Sequence, residues 1–240
     1  MRKIIIFSYD GSKFYGLQRQ KNLRSVQKEM EDALSKIYNE DIVIKASGRT
    51  DTGVHAFNQV AHFDSNKEIK DLKNKLNEFL LPDIVVKKVK NVSNDFHARK
   101  SVIKKEYIYK INFGPFKSSL NDYYYQPRNK LDINLMKDAS KVFLGTHDFR
   151  NFISGENDKT VTTIYSITFN KKMDRRLEIS FIGTGFYRYM VRNLVGALIE
   201  VGKYKISKES LKNMLDTIEN KKCLPTAPPE GLYLSKVWYK

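Results

Sequence analysis

The stretch IVIKASGRTDTGVHAFNQVAHFD, Ile42–Asp64, decides the fold. Ile42–Ala46 is β-branched and apolar, which predicts a short strand. Phe57–Asp64 alternates between two faces and predicts another. Between them lies GRTDTGVHA, Gly48–Ala56, with one carboxylate, Asp51, among small residues that let the backbone turn sharply. A loop joining two strands is a place where a rigid scaffold can aim a carboxylate at a ligand. The competing reading is an ordinary Asp in a glycine-containing turn. This loop alone leaves both open.

Upstream, Arg2–Tyr9 reads as a strand. Ser25 is placed to cap a helix whose apolar face is Val26, Met30, Ala33, Leu34 and Ile37. Downstream, Ile69, Leu72, Leu76, Phe79 and Leu80 form a second helical stripe, broken at Pro82-Asp83, and Ile84–Val89 reads as a strand. The order is β-α-β-β-α-β, the ferredoxin-like split motif. The pattern then returns. Tyr107, Tyr109, Ile111 and Phe113 alternate, and Asp132 is placed to cap a helix with Ile133, Met136, Ala139 and Phe143. Thr163–Asn170 and Leu177–Ile182 read as strands, and the apolar run Tyr187–Val201 as a helix. A further helix follows the cap Ser207, with Leu211, Met214, Leu215 and Ile218, and Leu232–Trp238 is the last strand. This predicts an α+β protein of two related ferredoxin-like halves, residues 1–100 and 101–240, joined near 93–104. Their antiparallel sheets would flank a central cleft, the natural place for a site.

With 240 residues and 41% hydrophobic content, the chain can bury a real core, which excludes global disorder. A formal charge of +16 calls for a polyanionic partner, nucleic acid before an anionic membrane. No apolar run approaches the roughly 20 residues that span a bilayer. MRKIIIFSYDG is too short in its apolar part for a signal-peptide core and reads as a strand. The single cysteine, Cys223, excludes an internal disulfide and a zinc–thiolate cluster, and fits a reducing cytoplasm.

YDGSKFYGLQRQ, Tyr9–Gln20, mixes a turn-forming Asp10-Gly11 with aromatic and basic residues, a composition that stacks and steers single-stranded bases. A long loop capping the core would read the same way. In FHAR, Phe96–Arg99, His97 and Arg99 can contact phosphate or belong to a structural linker. In FYRYMVRN, Phe186–Asn193, Arg188 and Arg192 stand at i and i+4 of the expected helix and would share a face. An Arg in so apolar a helix must reach solvent or a carboxylate, and Asp51 is a candidate partner. The histidines His55, His62, His97 and His147 show no close metal-ligand spacing and read as polar core or RNA contacts. GTGFYR, Gly183–Arg188, lacks the third glycine of a dinucleotide fingerprint. YYYQPR, Tyr123–Arg128, reads as a packed loop.

Together these stretches resemble the TruA family of tRNA pseudouridine synthases. The likeness is carried in order by YDG…GLQRQ, GRTDTGVHA, FHAR, KEYIY (Lys105–Tyr109), FLGTHDF (Phe143–Phe149), FYRYMVRNLVG and APPEGLYL (Ala227–Leu234). The resemblance implies the pseudouridine synthase fold and isomerisation of uridine in the tRNA anticodon stem-loop, with no cofactor or metal. It also implies a homodimer with RNA crossing both subunits. Asp51 matches the family's catalytic aspartate, and Arg49 the arginine that occupies the space left by the flipped nucleotide. Tyr107 matches the tyrosine stacking on the target base, and Arg192 the basic partner of the carboxylate. The motifs add Gln18, His55, Arg99 and Arg188 as candidate RNA contacts. Two positions depart from the family pattern: Leu17 stands where an aromatic is usual, and Thr162 where a basic residue is expected. Both fall in segments expected to approach RNA. Competing expectations are a related enzyme acting on ribosomal RNA, a non-catalytic RNA-binding module, and a metal-dependent nuclease using Asp10 and Asp51. The last lacks the dense carboxylate and histidine cluster such sites need.

Overall fold

A computed structural model describes residues 1–155, 159–217 and 224–240, and the chain divides into two units. Ile218 and Cys223 lie outside the described residues.

The first unit holds Met1–Ile103 and Tyr233–Lys240. It runs β1 (Arg2–Tyr9), α1 (Val26–Tyr38), β2 (Lys45–Ala46), β3 (His55–Asp64), α2 (Leu72–Leu80) and β4 (Ile84–Val92), the expected β-α-β-β-α-β order. Antiparallel β1 lies between β3 and β4, with Ile5 opposite Ala61 on one side and Val89 on the other. The core is closed by Ile5, Phe7, Met30, Leu34, Phe63, Leu76 and Val86, all fully or nearly fully buried. Each such side chain contributes about 1.5–3 kcal/mol of burial free energy.

The expected strand Ile42–Ala46 is a strand only at Lys45–Ala46. Ile42 and Ile44 are buried, but their amides donate to α1 side chains, at 3.0 Å to Ser35 Oγ and 3.0 Å to Glu31 Oε1. Side-chain acceptors have replaced a ladder there. Ser25 precedes α1 as expected, although its side chain makes no cap hydrogen bond. Phe79, expected on the buried stripe of α2, is 51% exposed, with the Lys36 ammonium 5.7 Å from its ring centroid.

The second unit, Lys104–Leu232, takes up the chain within β5 (Val102–Asn112). It continues through α3 (Ile133–Ala139), β6 (Gly145–Asp148), β7 (Val161–Lys172), β8 (Arg176–Gly183), α4 (Met190–Gly202) and α5 (Lys208–Asp216). The antiparallel order is β5-β8-β7-β6, with Tyr107 opposite Phe181 and Thr146 opposite Thr163. Asp132 and Ser207 cap α3 and α5 as expected, each side chain accepting from backbone amides of the first turn. β6 was not expected, because GTHD has no apolar alternation; its pairing with Val161–Ile164 makes it a strand.

The last strand, β9 (Leu232–Tyr239), departs from the expected division. From Tyr233 onward it belongs to the first unit, where it pairs with β3 in parallel, His55 opposite Tyr233 and Ala56 opposite Leu234. A parallel pair needs a long crossover, and here the connection runs through the intervening chain. Among the described residues, no helix is long and apolar enough to cross a membrane.

Candidate active site

In the first unit the GRTDTGVHA loop leaves β2 and returns into β3 under tight restraint. The Ser47 amide donates to Val60 O at 2.7 Å. Gln59, fully buried, accepts from Ser47 Oγ at 2.7 Å and donates to Gly48 O at 3.2 Å. Thr50 Oγ1 meets the Tyr9 hydroxyl at 2.8 Å, and burial pushes that phenol up to about 12. The Val54 amide closes back on Asp51 O at 3.1 Å, a turn that Gly53 completes at φ +78°. Asp51 itself is half-buried, and Arg49 beside it is exposed.

The YDGSKFYG segment forms the wall behind this loop. A Cβ on Gly11 would stand 2.2 Å from Val54 O. Gly16 has φ +86°, and a Cβ there would stand 2.8 Å from Thr50 O. The Leu17 amide donates to that same Thr50 carbonyl at 3.1 Å. The two sequence motifs are thus one interlocked object. Phe14 and Leu17 are both 3% exposed and cap the core, while Ser12, Lys13, Tyr15, Gln18 and Arg19 reach solvent. Arg19 pairs there with the buried Glu31.

His55 is 2% exposed, and its Nδ1 accepts from the Gly11 amide at 3.0 Å. Its ring stacks on Tyr233, centroids 4.5 Å apart and planes 13° off parallel. Asp10 Oδ1 approaches the same nitrogen at 3.4 Å. The geometry gives His55 the work of holding the loop. Asp10, in turn, accepts from the Ser12 amide and hydroxyl at 3.0 and 2.7 Å and stabilises the turn.

The FHAR turn is pinned from two strands. The Ala98 amide donates to His62 Nδ1 at 3.1 Å, and Tyr239 OH donates to Ala98 O at 2.8 Å. His97 Nδ1 accepts from the Arg99 amide at 3.1 Å, and burial lowers the His97 imidazole. Arg99 is exposed.

In the second unit Tyr107 is 7% exposed on β5, edge-on to Phe186 at 5.4 Å between centroids. Phe186 opens the FYRYMVRN stretch, which is not helical until Met190. Arg188 therefore precedes α4 and does not share a helix face with Arg192 at i and i+4. Tyr189, at φ +60°, turns the chain between them. The two guanidiniums still meet at one ring: Arg188 Cζ lies 5.1 Å and Arg192 Cζ 4.9 Å from the Tyr189 centroid. Arg192 Nε donates to Ala227 O at 2.8 Å, and the Ala227 amide donates to Arg192 O at 3.0 Å. The APPEGLYL motif is thereby bound to the start of α4. Burial raises the Glu230 carboxyl in that motif, and the Arg192 charge opposes the shift.

Leu17 and Thr162 lie inside their units. Thr162 is 8% exposed, donating from Oγ1 to Gly185 O at 2.9 Å. Both side chains are buried, while Gln18, Arg19 and Gln20 beside Leu17 are exposed. The contacts of Tyr9 and Gln59 with the loop, of Tyr233 with His55 and of Tyr189 with Arg192 are absent from the sequence reading. Gln59 had a signal, a polar side chain at an inward position of the FNQVAHFD alternation.

The sequence matches the family described as tRNA pseudouridine synthase over residues 5–99 and 139–240. The chain belongs to this family. Proteins named tRNA pseudouridine synthase A are similar along its length. That of Listeria monocytogenes serotype 4b (strain CLIP80459) is 45% identical over 245 residues, 98% of each chain. Those of Thermosipho africanus (strain TCF52B) and Geobacillus sp. (strain WCH70) are 40% and 41% identical, covering 99% and 97% of this chain and 99% and 96% of theirs. Among solved structures, that of the archaeal box H/ACA sRNP Nop10-Cbf5 complex matches at a TM-score of 0.36 and 12% identity. The match covers 84% of this chain and 54% of that one, so the chain spans about half its length.

As a member of the pseudouridine synthase family, the chain is an RNA-modifying enzyme. Asp51, Arg49, Gln18, His55 and Arg99 fall in the first family segment, Arg188 and Arg192 in the second, and Tyr107 between the two. Asp51 belongs to the first unit, Tyr107 and Arg192 to the second.

Proposed function

We propose that this chain converts uridine to pseudouridine in the anticodon stem-loop of tRNA, as a homodimer in the cytoplasm. The observation that carries the reading is Asp51, a half-buried carboxylate on a loop whose neighbours are fixed by Tyr9, Leu17, Gln59 and His55. Preorganisation of this kind is what a catalytic group needs. The names of the relatives supply the substrate class.

The chemistry fits so small an apparatus. The target base must first leave the stack, at a cost of a few kcal/mol that pocket contacts offset. The bond from N1 to the sugar breaks and one from C5 forms. The proton lost at C5 is matched by the one gained at N1, so no electrons enter or leave and no cofactor or metal is assigned. Asp51 acts on the sugar, Arg192 is the basic residue that the family resemblance assigns to it, and Tyr107 holds the detached base. Stacking of that kind contributes about 1–3 kcal/mol. Arg49 fills the place of the flipped nucleotide. Gln18, Arg99 and Arg188, all exposed, contact the RNA around it. The charge of +16 per chain supplies phosphate affinity, and two copies grip a long folded RNA at several points.

The test is chemical mapping of pseudouridine after incubation with full-length tRNA, an isolated anticodon stem-loop and ribosomal RNA fragments, each in EDTA. Full-length tRNA modified in its anticodon arm, much faster than the minimal hairpin, is expected. Modification of a ribosomal fragment with tRNA untouched would overturn the tRNA assignment.

A further inference from the structure

We propose that Tyr189 is a positioning residue, its ring setting the guanidinium of Arg192 for the reaction; this rests on the role given to Arg192 above. Tyr189 stands at φ +60°, ψ −3°, immediately ahead of α4. That region suits Gly or Asn and is an outlier for an aromatic side chain. The position is also the helix N-cap, where Asn or Ser would accept an amide hydrogen bond; Tyr189 makes no side-chain cap bond. Two local preferences are therefore set aside to place a ring here.

The ring stands beneath two cations. Arg192 Cζ is 4.9 Å and Arg188 Cζ 5.1 Å from its centroid, inside the range where a guanidinium is held by an aromatic face. Arg188 is exposed, so its contact is weakly held by comparison, while Arg192 is half-buried. Arg192 is also gripped through Nε by Ala227 O at 2.8 Å. A flexible side chain is thus fixed at one nitrogen and across its plane. A residue at the cap that relaxed the backbone would release this plane.

The test compares single-turnover pseudouridine formation at saturating enzyme for Tyr189→Phe, Tyr189→Asn, Arg192→Met and the double variant Tyr189→Asn/Arg192→Met, with urea stability and tRNA affinity for each. Tyr189→Phe keeps the ring and is expected within about twofold of the parent rate. Tyr189→Asn suits the backbone, so it is expected to be at least as stable yet about tenfold slower. Its tRNA affinity should be little changed, and it should cause no further loss in the Arg192→Met background. Tyr189→Gly gives the same reading by a second route. A Tyr189→Asn enzyme at full rate beside a slow Arg192→Met would overturn this proposal alone. A loss of affinity with the saturated rate intact would overturn it by marking Tyr189 as an RNA contact. An Arg192→Met enzyme at full rate would overturn the role of Arg192 and this proposal with it.

Discussion

The Tyr9 hydroxyl lies 2.8 Å from Thr50 Oγ1, one residue ahead of Asp51, and both side chains are buried. This bond ties the end of β1 to the loop that carries the carboxylate. Tyr9→Phe removes the hydroxyl and leaves Thr50 buried with that partner gone. The expected cost is about 1–2 kcal/mol in urea unfolding. Single-turnover pseudouridine formation should slow by about three- to tenfold as Asp51 loses its fixed setting. An unchanged rate in a measurably destabilised protein would show that the bond serves the fold alone.

Gly11 and Val54 make a sharper test of the same interlock. A methyl group on Gly11 would meet Val54 O at 2.2 Å, backbone against side chain with no room to yield. Gly11→Ala should destabilise by about 2–3 kcal/mol. Gly155 is the control: at φ +88° with nothing within 4 Å, its Ala variant meets backbone strain alone, about 1 kcal/mol. Urea midpoints compare them, and equal losses would contradict the packing argument.

His62 gives the fold a pH dependence. Burial, then the charges of Arg2 and His97, lower its imidazole from 6.5 to about 4. The unfolded chain takes up a proton below 6.5 that the folded chain refuses until about 4. Stability is therefore full above 6.5 and falls as pH drops through that window, by about 2 kcal/mol between pH 7 and 5. His62→Gln keeps an acceptor for the Ala98 amide and cannot be protonated there. Its stability should fall less over the same interval, and equal pH slopes in the two proteins would refute the assignment.

RNA binding should fall steeply with salt, given the charge of +16. Each neutralised phosphate adds about 0.7–0.9 to the log–log slope, so several contacts give a slope beyond about 3. A slope near zero in filter binding with full-length tRNA would contradict phosphate-driven affinity.

The regular elements were legible where hydrophobic period and caps agreed. Met30 and Leu34 on α1, or Asp132 and Ser207 ahead of their helices, show that agreement. Reading failed where a side chain did the work of a backbone partner. Glu31 and Ser35 take the amides of Ile44 and Ile42, so most of that expected strand has no ladder. It failed again where a strand's partner lay far along the chain, as β9 does from β3. In the candidate site, Asp51 was legible as a lone carboxylate in a tight loop. The support behind it was not, because Gly11, Gly16 and His55 reveal their purpose only when Val54, Thr50 and Tyr233 are found against them. The helix reading of Arg188 failed at Tyr189, whose positive φ no pattern announces.

The central claim is that the Asp51 carboxylate does the chemistry, and Asp51→Asn tests it most directly. The change is nearly isosteric and removes only the charge and its basicity. Pseudouridine in full-length tRNA is counted under single-turnover conditions at saturating enzyme, and tRNA affinity is measured on the same preparation. The account predicts a rate below about one thousandth of the parent, with affinity within about threefold. A rate within about tenfold of the parent in the folded, tRNA-binding variant would contradict it.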